Sequence, residues 1–299
     1  MTPLLRLMAV SALMGVVPAA QLPAQQKVWV GHAATPTVSL KLFAAVGKIH
    51  VVGWDRDSVE MSGVVPTASQ VQLSAGSPLE KSKGMKMFVE APTEQSGREG
   101  ELTLRVPRGA RVWLKTGSAD MDVSGVTGGL DLNVVGGSII VHGSPKELRA
   151  ESMDGSVTID GSPEWLRAKT ATGDITMRGG QDVGASTISG TIRTSGGEVE
   201  RAKLESTTGT IAFASSLARG ASVELETHSG PIDVQLPLRG DAEIDAATIT
   251  GAIDTQWTRA RPVPGREGRG MTLATSSGMG GGRIVVRSFK GTVQLRATK

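Results

Sequence analysis

Two aspartates and four arginines are the residues of this 299-residue chain whose types and spacing could do chemistry. Asp233 and Asp254 each stand three residues after a turn glycine, Gly230 and Gly251. In consecutive stacked strands they would lie roughly 5 Å apart. Two carboxylates that close can divide into an acid and a base, as a polysaccharide hydrolase or lyase requires, or can hold a cation. Asp122 has the same place in an earlier repeat. No column of Arg, Lys or His accompanies the pair. We therefore read both as residues of a solvated outer face and keep a polysaccharide-active enzyme using Asp233 and Asp254 as an alternative. Arg259, Arg261, Arg266 and Arg269 cluster within residues 258–271 against the single Glu267. This Pro- and Gly-rich stretch reads as a flexible basic loop, either simply solvated or in contact with polyanions.

Other chemistries find no pattern to carry them. His32, His50, His142 and His228 are scattered without metal-ligand spacing. There is no nucleophile elbow, phosphate-binding loop or zinc-protease helix motif. Hence no catalytic residue, cofactor or metal is assigned, and the chain is read as a non-enzyme. Asp154 and Asp174 flank turn glycines and read as turn residues. Trp54 and Trp257 could stack on sugars, although Trp54 reads more simply as packing near the first turn.

The elements that position these residues come from a repeat. Met153 to Gly161, Ala171 to Gly179 and Ile188 to Gly196 share one pattern at a period of 17 to 18 residues: glycine, polar, aliphatic, any, apolar. With the turn residue as position zero, the column runs Ala119, Gly137, Gly155, Gly173, Gly190, Gly209, Gly230, Gly251, Gly282 and Gly291. Apolar residues sit two and four places later, for example Ile175 and Met177, and seven and five places earlier, for example Leu166 and Ala168. Ser152, Thr170, Thr187, Ser206, Thr227 and Thr248 sit three places earlier. These hydroxyls read as a stacked ladder bonded to neighbouring repeats or to the turn backbone, or as ordinary strand-end turn residues. A second glycine column, Gly125, Gly143, Gly161, Gly179 and Gly196, would turn the chain toward the next repeat.

Alternation of period two predicts two short strands per repeat, each with one buried face. One such unit cannot bury enough to fold alone, so the units must stack. The expected fold is all-β, a β-solenoid (β-helix) of roughly 18-residue two-strand rungs. Residues 25–110 read as an N-terminal β segment or cap, and residues 111–299 as the solenoid repeats, interrupted by the loop at 258–271.

Composition sets the compartment. Arg6 followed by the apolar run Leu7 to Val17 and small residues near Ala20 and Ala24 reads as a signal peptide over residues 1–24. No later stretch is apolar enough to span a bilayer. Cys is absent, so the fold holds without disulfides. The expected location is exported: periplasm, outer surface or extracellular. Nucleic acid is a poor partner for an exported chain with 3% aromatics.

Gly47 to Glu60, with its Gly-Trp-Asp-Arg-Asp core, and Leu102 to Ala110 lead into the Ser/Thr-Gly-x-Ile-x-Val units. In this order they resemble the bacterial DUF4097 family, labelled as candidate adhesins, over about residues 35 to 297. The resemblance implies a β-helical solenoid at or outside the cell envelope and brings no catalytic motif. The function expected from residues and resemblance together is non-catalytic: adhesin-like surface interaction or envelope structure. Its partners would be envelope polymers, glycans or another surface protein. An envelope-stress or ligand-sensing module is a further alternative, implied by family context.

Overall fold

The computed structural model describes residues 25–77, 79–93, 97–237, 241–279 and 281–298. The signal-peptide expectation for residues 1–24 lies outside them. The described chain is all-β, with one short 3-10 turn at Arg266–Gly268. Its first strands are β1 (Gln25–Ala44), β2 (Lys48–Trp54), β3 (Ser58–Pro66), β4 (Gln70–Ser74), β5 (Ser82–Glu90) and β6 (Glu101–Pro107). The regular repeat follows as pairs: β7 (Arg111–Thr116) with β8 (Asp120–Ser124), β9 (Gly129–Val134) with β10 (Ile139–His142), β11 (Glu147–Ser152) with β12 (Val157–Asp160), and β13 (Trp165–Lys169) with β14 (Ile175–Arg178). β15 (Asp182–Thr187) continues into β16 (Ile192–Ser206), β17 (Ile211–Thr227) and β18 (Ile232–Pro237), the two long strands each serving two successive rungs.

From β7 to β18 each rung pairs with the next in parallel, and the core columns stay in register, so each column keeps its identity. Val157 faces Ile175, which faces Ile192; Leu148 faces Leu166, which faces Val183. These columns are buried and form one continuous core. Alternation explains the burial, since successive side chains of a strand point to opposite faces.

The two glycine columns exist for different reasons. At position zero the backbones of successive turns touch. A Cβ on Gly155 would overlap the carbonyl oxygen of Gly137, one on Gly173 that of Gly155, and one on Gly209 that of Gly190. None of these three has a positive φ, so close approach, not turn geometry, demands glycine there. The second column is conformational: Gly125 (φ 70°), Gly179 (φ 99°) and Gly196 (φ 64°) occupy the left-handed region.

The buried hydroxyl column performs both tasks expected of it. The N–H of Gly155 donates to Ser152 Oγ (2.9 Å), that of Gly209 to Ser206 (2.9 Å) and that of Gly230 to Thr227 (3.0 Å), closing each turn. Ser152 in turn donates to Gly137 O of the preceding rung (2.9 Å), and Thr170 to Thr187 of the next (3.0 Å). These bonds satisfy polar groups that stacking removes from water.

Chain order and stacking order part company at both ends. After β18 the chain forms β19 (Ala242–Thr248) and β20 (Ile253–Thr255), then β21 (Val263–Pro264), β22 (Met271–Ser277), β23 (Gly282–Ser288) and β24 (Val293–Thr298). β23 pairs with β17 on one side and β19 on the other; β24 pairs with β18 and β20. The last rung in sequence is therefore inserted between the two before it. This corrects the turn column: Gly282 faces Ala221 at a strand start, and only Gly291 is a turn residue of that rung, against Gly230 and Gly251. Ile284 and Val286 belong to the first-strand columns, beside Val223 and Leu225.

The N-terminal end repeats the device. Leu40 and Ile49 face Met85 and Leu102 on one side and Val112 and Met121 on the other. The first rung in sequence thus lies between the second and the third. Each outermost rung is capped by antiparallel strands, β3 on β6 and β4 on β5 at one end, β22 on β19 at the other.

Residues 258–271, expected as a flexible loop, carry ordered structure. β21 pairs with β22, Gly265 N donates to Gly270 O (3.1 Å), and Thr258 and Thr275 hydroxyls meet at 2.9 Å. Just before this segment Trp257 is buried, its Nε1 donating to Pro237 O (3.0 Å), so it offers no sugar platform. Pro264 on the outer strand and the arginines around it blunt this edge against further pairing.

Candidate functional site

Parallel stacking converts the outward positions of successive strands into columns of side chains about 4.8 Å apart. Asp233 and Asp254 lie in one such column but do not meet. Both face Gln294, Asp233 through β18 and Asp254 through β20, because β24 runs between them. The expected adjacency of about 5 Å is thereby overturned: with β24 between them the two carboxylates stand roughly 10 Å apart, too far to share a proton or a cation. Asp233 instead accepts from Gln235 Nε2 (3.0 Å) and lies 3.4 Å from Arg296 Nε, while Asp254 is exposed.

Elsewhere on the outer faces, charges are matched between rungs. Asp182 takes Arg167 Nη1 at 2.9 Å and Arg201 Nη2 at 2.8 Å. Asp245 takes Arg287 of the neighbouring rung at 3.0 Å, and within one strand Lys203 reaches Glu205 at 2.8 Å. Burial pushes the Asp182 carboxyl up, but hydrogen bonds from Arg167 and Arg201 outweigh it and leave the group below the usual carboxylate range. Asp120 is likewise lowered, by the backbone N–H of Ser138 (2.9 Å) and then by its hydroxyl (2.7 Å), contacts made across rungs. Both groups are depressed on folding. Their stabilisation is therefore present above the unfolded carboxylate pKa of about 4 and is lost as pH falls below it. Melting temperature should drop on acidification from pH 5 to 3, and Asp182→Asn should shrink that drop. A melting temperature flat across this range would contradict the assignment.

One region gathers cations with no carboxylate among them. The outward residues of β5, β1 and β7 form a block: Lys86 and Phe88, then Lys41 and Phe43, then Arg111, Trp113 and Lys115. The adjoining β4 adds Gln72 and Ser74. The four cations are exposed and, among the described residues, none has an ion-pair partner. No carboxylate stands within the block; Glu90 at the end of β5, and Asp131 and Glu147 beyond β7, mark its border.

The block is built round an aromatic stack. Phe43 and Phe88 stand face to face, ring centroids 5.1 Å apart and planes within 2°, and Trp113 meets Phe43 edge-on at 4.7 Å. Register places all three: Phe43 faces Phe88 across one ladder and neighbours Trp113 across the other. Partly buried aromatics hold their shape with little rotamer freedom to lose, which makes a preorganised floor. A depression of about 850 Å³ opens beside it, lined by Phe43, Phe88, Arg98 and Lys115 and also by Glu90 and Asp154.

Residue types and strand alternation carried some of this signal, since Lys41, Phe43, Lys86 and Phe88 all fall at outward positions. What was missing was register: nothing in the order of the chain places β5 next to β1, or β1 next to β7. The anticipated arginines, Arg259, Arg261, Arg266 and Arg269, are exposed at the opposite end of the stack and likewise have no ion-pair partner among the described residues.

The family profile Toastrack DUF4097 matches residues 45–278. Solved structures similar to the chain include a candidate cell adhesion protein from Clostridium sporogenes, at 13% identity and TM-score 0.23, covering 91% of this chain and 100% of its own. A candidate adhesin from Bacteroides fragilis is 9% identical with TM-score 0.36, covering 91% and 98%. A candidate lipid-binding protein from Parabacteroides distasonis is 15% identical with TM-score 0.46, covering 92% and 97%. No curated protein matches. Among the described residues no helix is long and apolar enough to cross a membrane.

Proposed function

The chain belongs to the Toastrack DUF4097 family, and from that membership and its stacked rungs we propose that it is an exported β-solenoid that binds anionic polymers of the cell envelope without transforming them. The observation that carries this reading is the block on β5, β1 and β7: four cations round an aromatic floor with no carboxylate among them, where the rungs beyond intersperse acids and bases. Leaving four like charges close together without counter-ions costs stability, and a bound polyanion would remove that cost. The faces that the two phenylalanines turn to each other are occupied, which leaves less ring face open to a sugar. That favours charge recognition with apolar contact over sugar stacking alone. Signal-peptide cleavage near residue 24 and delivery beyond the inner membrane belong to the same reading.

The test is a titration of the mature protein with polygalacturonate at 50 and 300 mM salt, beside product analysis of the polymer. Binding should weaken at least tenfold over that range, since each contact replaces released counter-ions. Lys41→Gln with Lys86→Gln should weaken it further, by about tenfold, for a loss of roughly 1.4 kcal/mol. Asp233→Asn and Asp254→Asn should leave both binding and thermal stability within error. Chain cleavage that disappears in either Asn variant would restore the enzyme reading, and binding indifferent to salt and to both lysines would remove this one.

A further inference from the structure

The two unpaired basic surfaces stand at opposite ends of the stack. One occupies the rungs of β5, β1 and β7; the other lies on the segment after β20, against the capping strand β22. Each rung adds about 4.8 Å, so the ends are roughly 40 Å apart. That is several times the screening length of about 8 Å at physiological salt, which makes them electrostatically independent. The rungs between them mix both signs on the same outward face: Asp182 and Asp245 are paired with arginines, Glu151 faces Lys169, Glu224 faces Lys203 and Glu226 faces Arg287. A polyanion attracted to either end is not attracted along the middle.

We infer that the protein is bivalent: a rigid spacer that bridges two segments of linear polyanion, one held at each end. The inference rests on the polyanion-binding reading above and adds valence to it. A long flexible polymer can reach both ends at once or join two proteins. A flat anionic bilayer cannot serve in the same way, because pressing the first-strand face against it would also bring Glu205, Glu224 and Glu226 toward the like-charged surface. Covalent continuity of the stack supplies the spacer, and the ordered pairing of β21 with β22 fixes the second basic surface to it.

Bridging has a signature that single-site binding lacks. Light scattering of polygalacturonate should rise as the full-length mature protein is added, pass through a maximum, and fall when excess protein occupies every segment singly. Lys41→Gln/Lys86→Gln/Lys115→Gln removes one end, and Arg259→Gln/Arg261→Gln/Arg266→Gln/Arg269→Gln the other. Each variant should still bind, with apparent affinity lowered about 100-fold through lost avidity, and neither should raise scattering. All these positions are exposed, so melting temperatures should stay close to wild type, separating lost valence from lost fold. Wild-type binding without scattering at any ratio would overturn bivalency while leaving the binding reading in place. Scattering undiminished in either variant would do the same. Vesicles of phosphatidylglycerol form the second arm: their aggregation in place of the polymer's would reassign the partner to a membrane and overturn the proposal. Absence of binding to both probes would overturn this inference and the function it rests on together.

Discussion

Removing residues 282–299 should unfold the C-terminal part of the stack, not shorten it. In a stack built in chain order the last rung would be an end piece, and its loss would expose one new edge. Here β23 and β24 lie inside, each between two parallel partners. Deleting them takes Ile284, Val286, Val293 and Leu295 from the core, all of which are buried. At about 1.5–3 kcal/mol for each fully buried aliphatic side chain, the apolar loss alone is comparable with the whole stability of an ordinary domain, about 5–15 kcal/mol. The loss also opens a gap that β19 and β20 cannot close without moving Trp257 from its contact with Pro237. The truncated chain should be insoluble, or should lose cooperative melting and exchange the amides of β17 to β20 rapidly. A truncation that melts within a few degrees of the full chain would show that the inserted arrangement is wrong.

Ile175→Asp should destabilise the stack by several kcal/mol. Ile175 is fully buried and faces Val157 on one side and Ile192 on the other. A carboxylate there has no cation in reach among these aliphatic neighbours, so it must be desolvated or protonated, at several kcal/mol. Thr176→Asp, one residue along, points outward between Thr158 and Arg193. It should change stability by about 0.5 kcal/mol or less, the usual range for surface sites. Denaturant titrations of the two variants measure the contrast directly. Equal effects would contradict this facing, and reversed effects would mean that the buried and outward faces had been exchanged, which a one-residue slip in register would cause.

The facing of Ile175 and Thr176 was legible from alternation, because side-chain direction in a strand is a local property. The core columns from Val112 to Val234 were legible for the same reason, since each repeat stacks on the one beside it in sequence. The hydroxyl ladder was readable as a column, but not its double use, which depends on where the neighbouring turn's carbonyl lies. The glycine column at position zero was readable as a set of turns. Its cause, contact between stacked backbones, appears only when two rungs are placed together.

By itself, then, the sequence determined what neighbouring residues decide: all-β character, rung length, buried and outward faces, and family. The tertiary structure decided everything that depends on which rung lies beside which. It separated Asp233 from Asp254 by inserting β24, and it made one basic surface by setting β1 between β5 and β7. The physical reason is that the columns are nearly alike from rung to rung. Many stacking orders satisfy the same alternation, and the local pattern cannot choose among them. The choice falls to the ends of the stack, where antiparallel caps must cover exposed edges and where a rung gains more by pairing on both sides than on one.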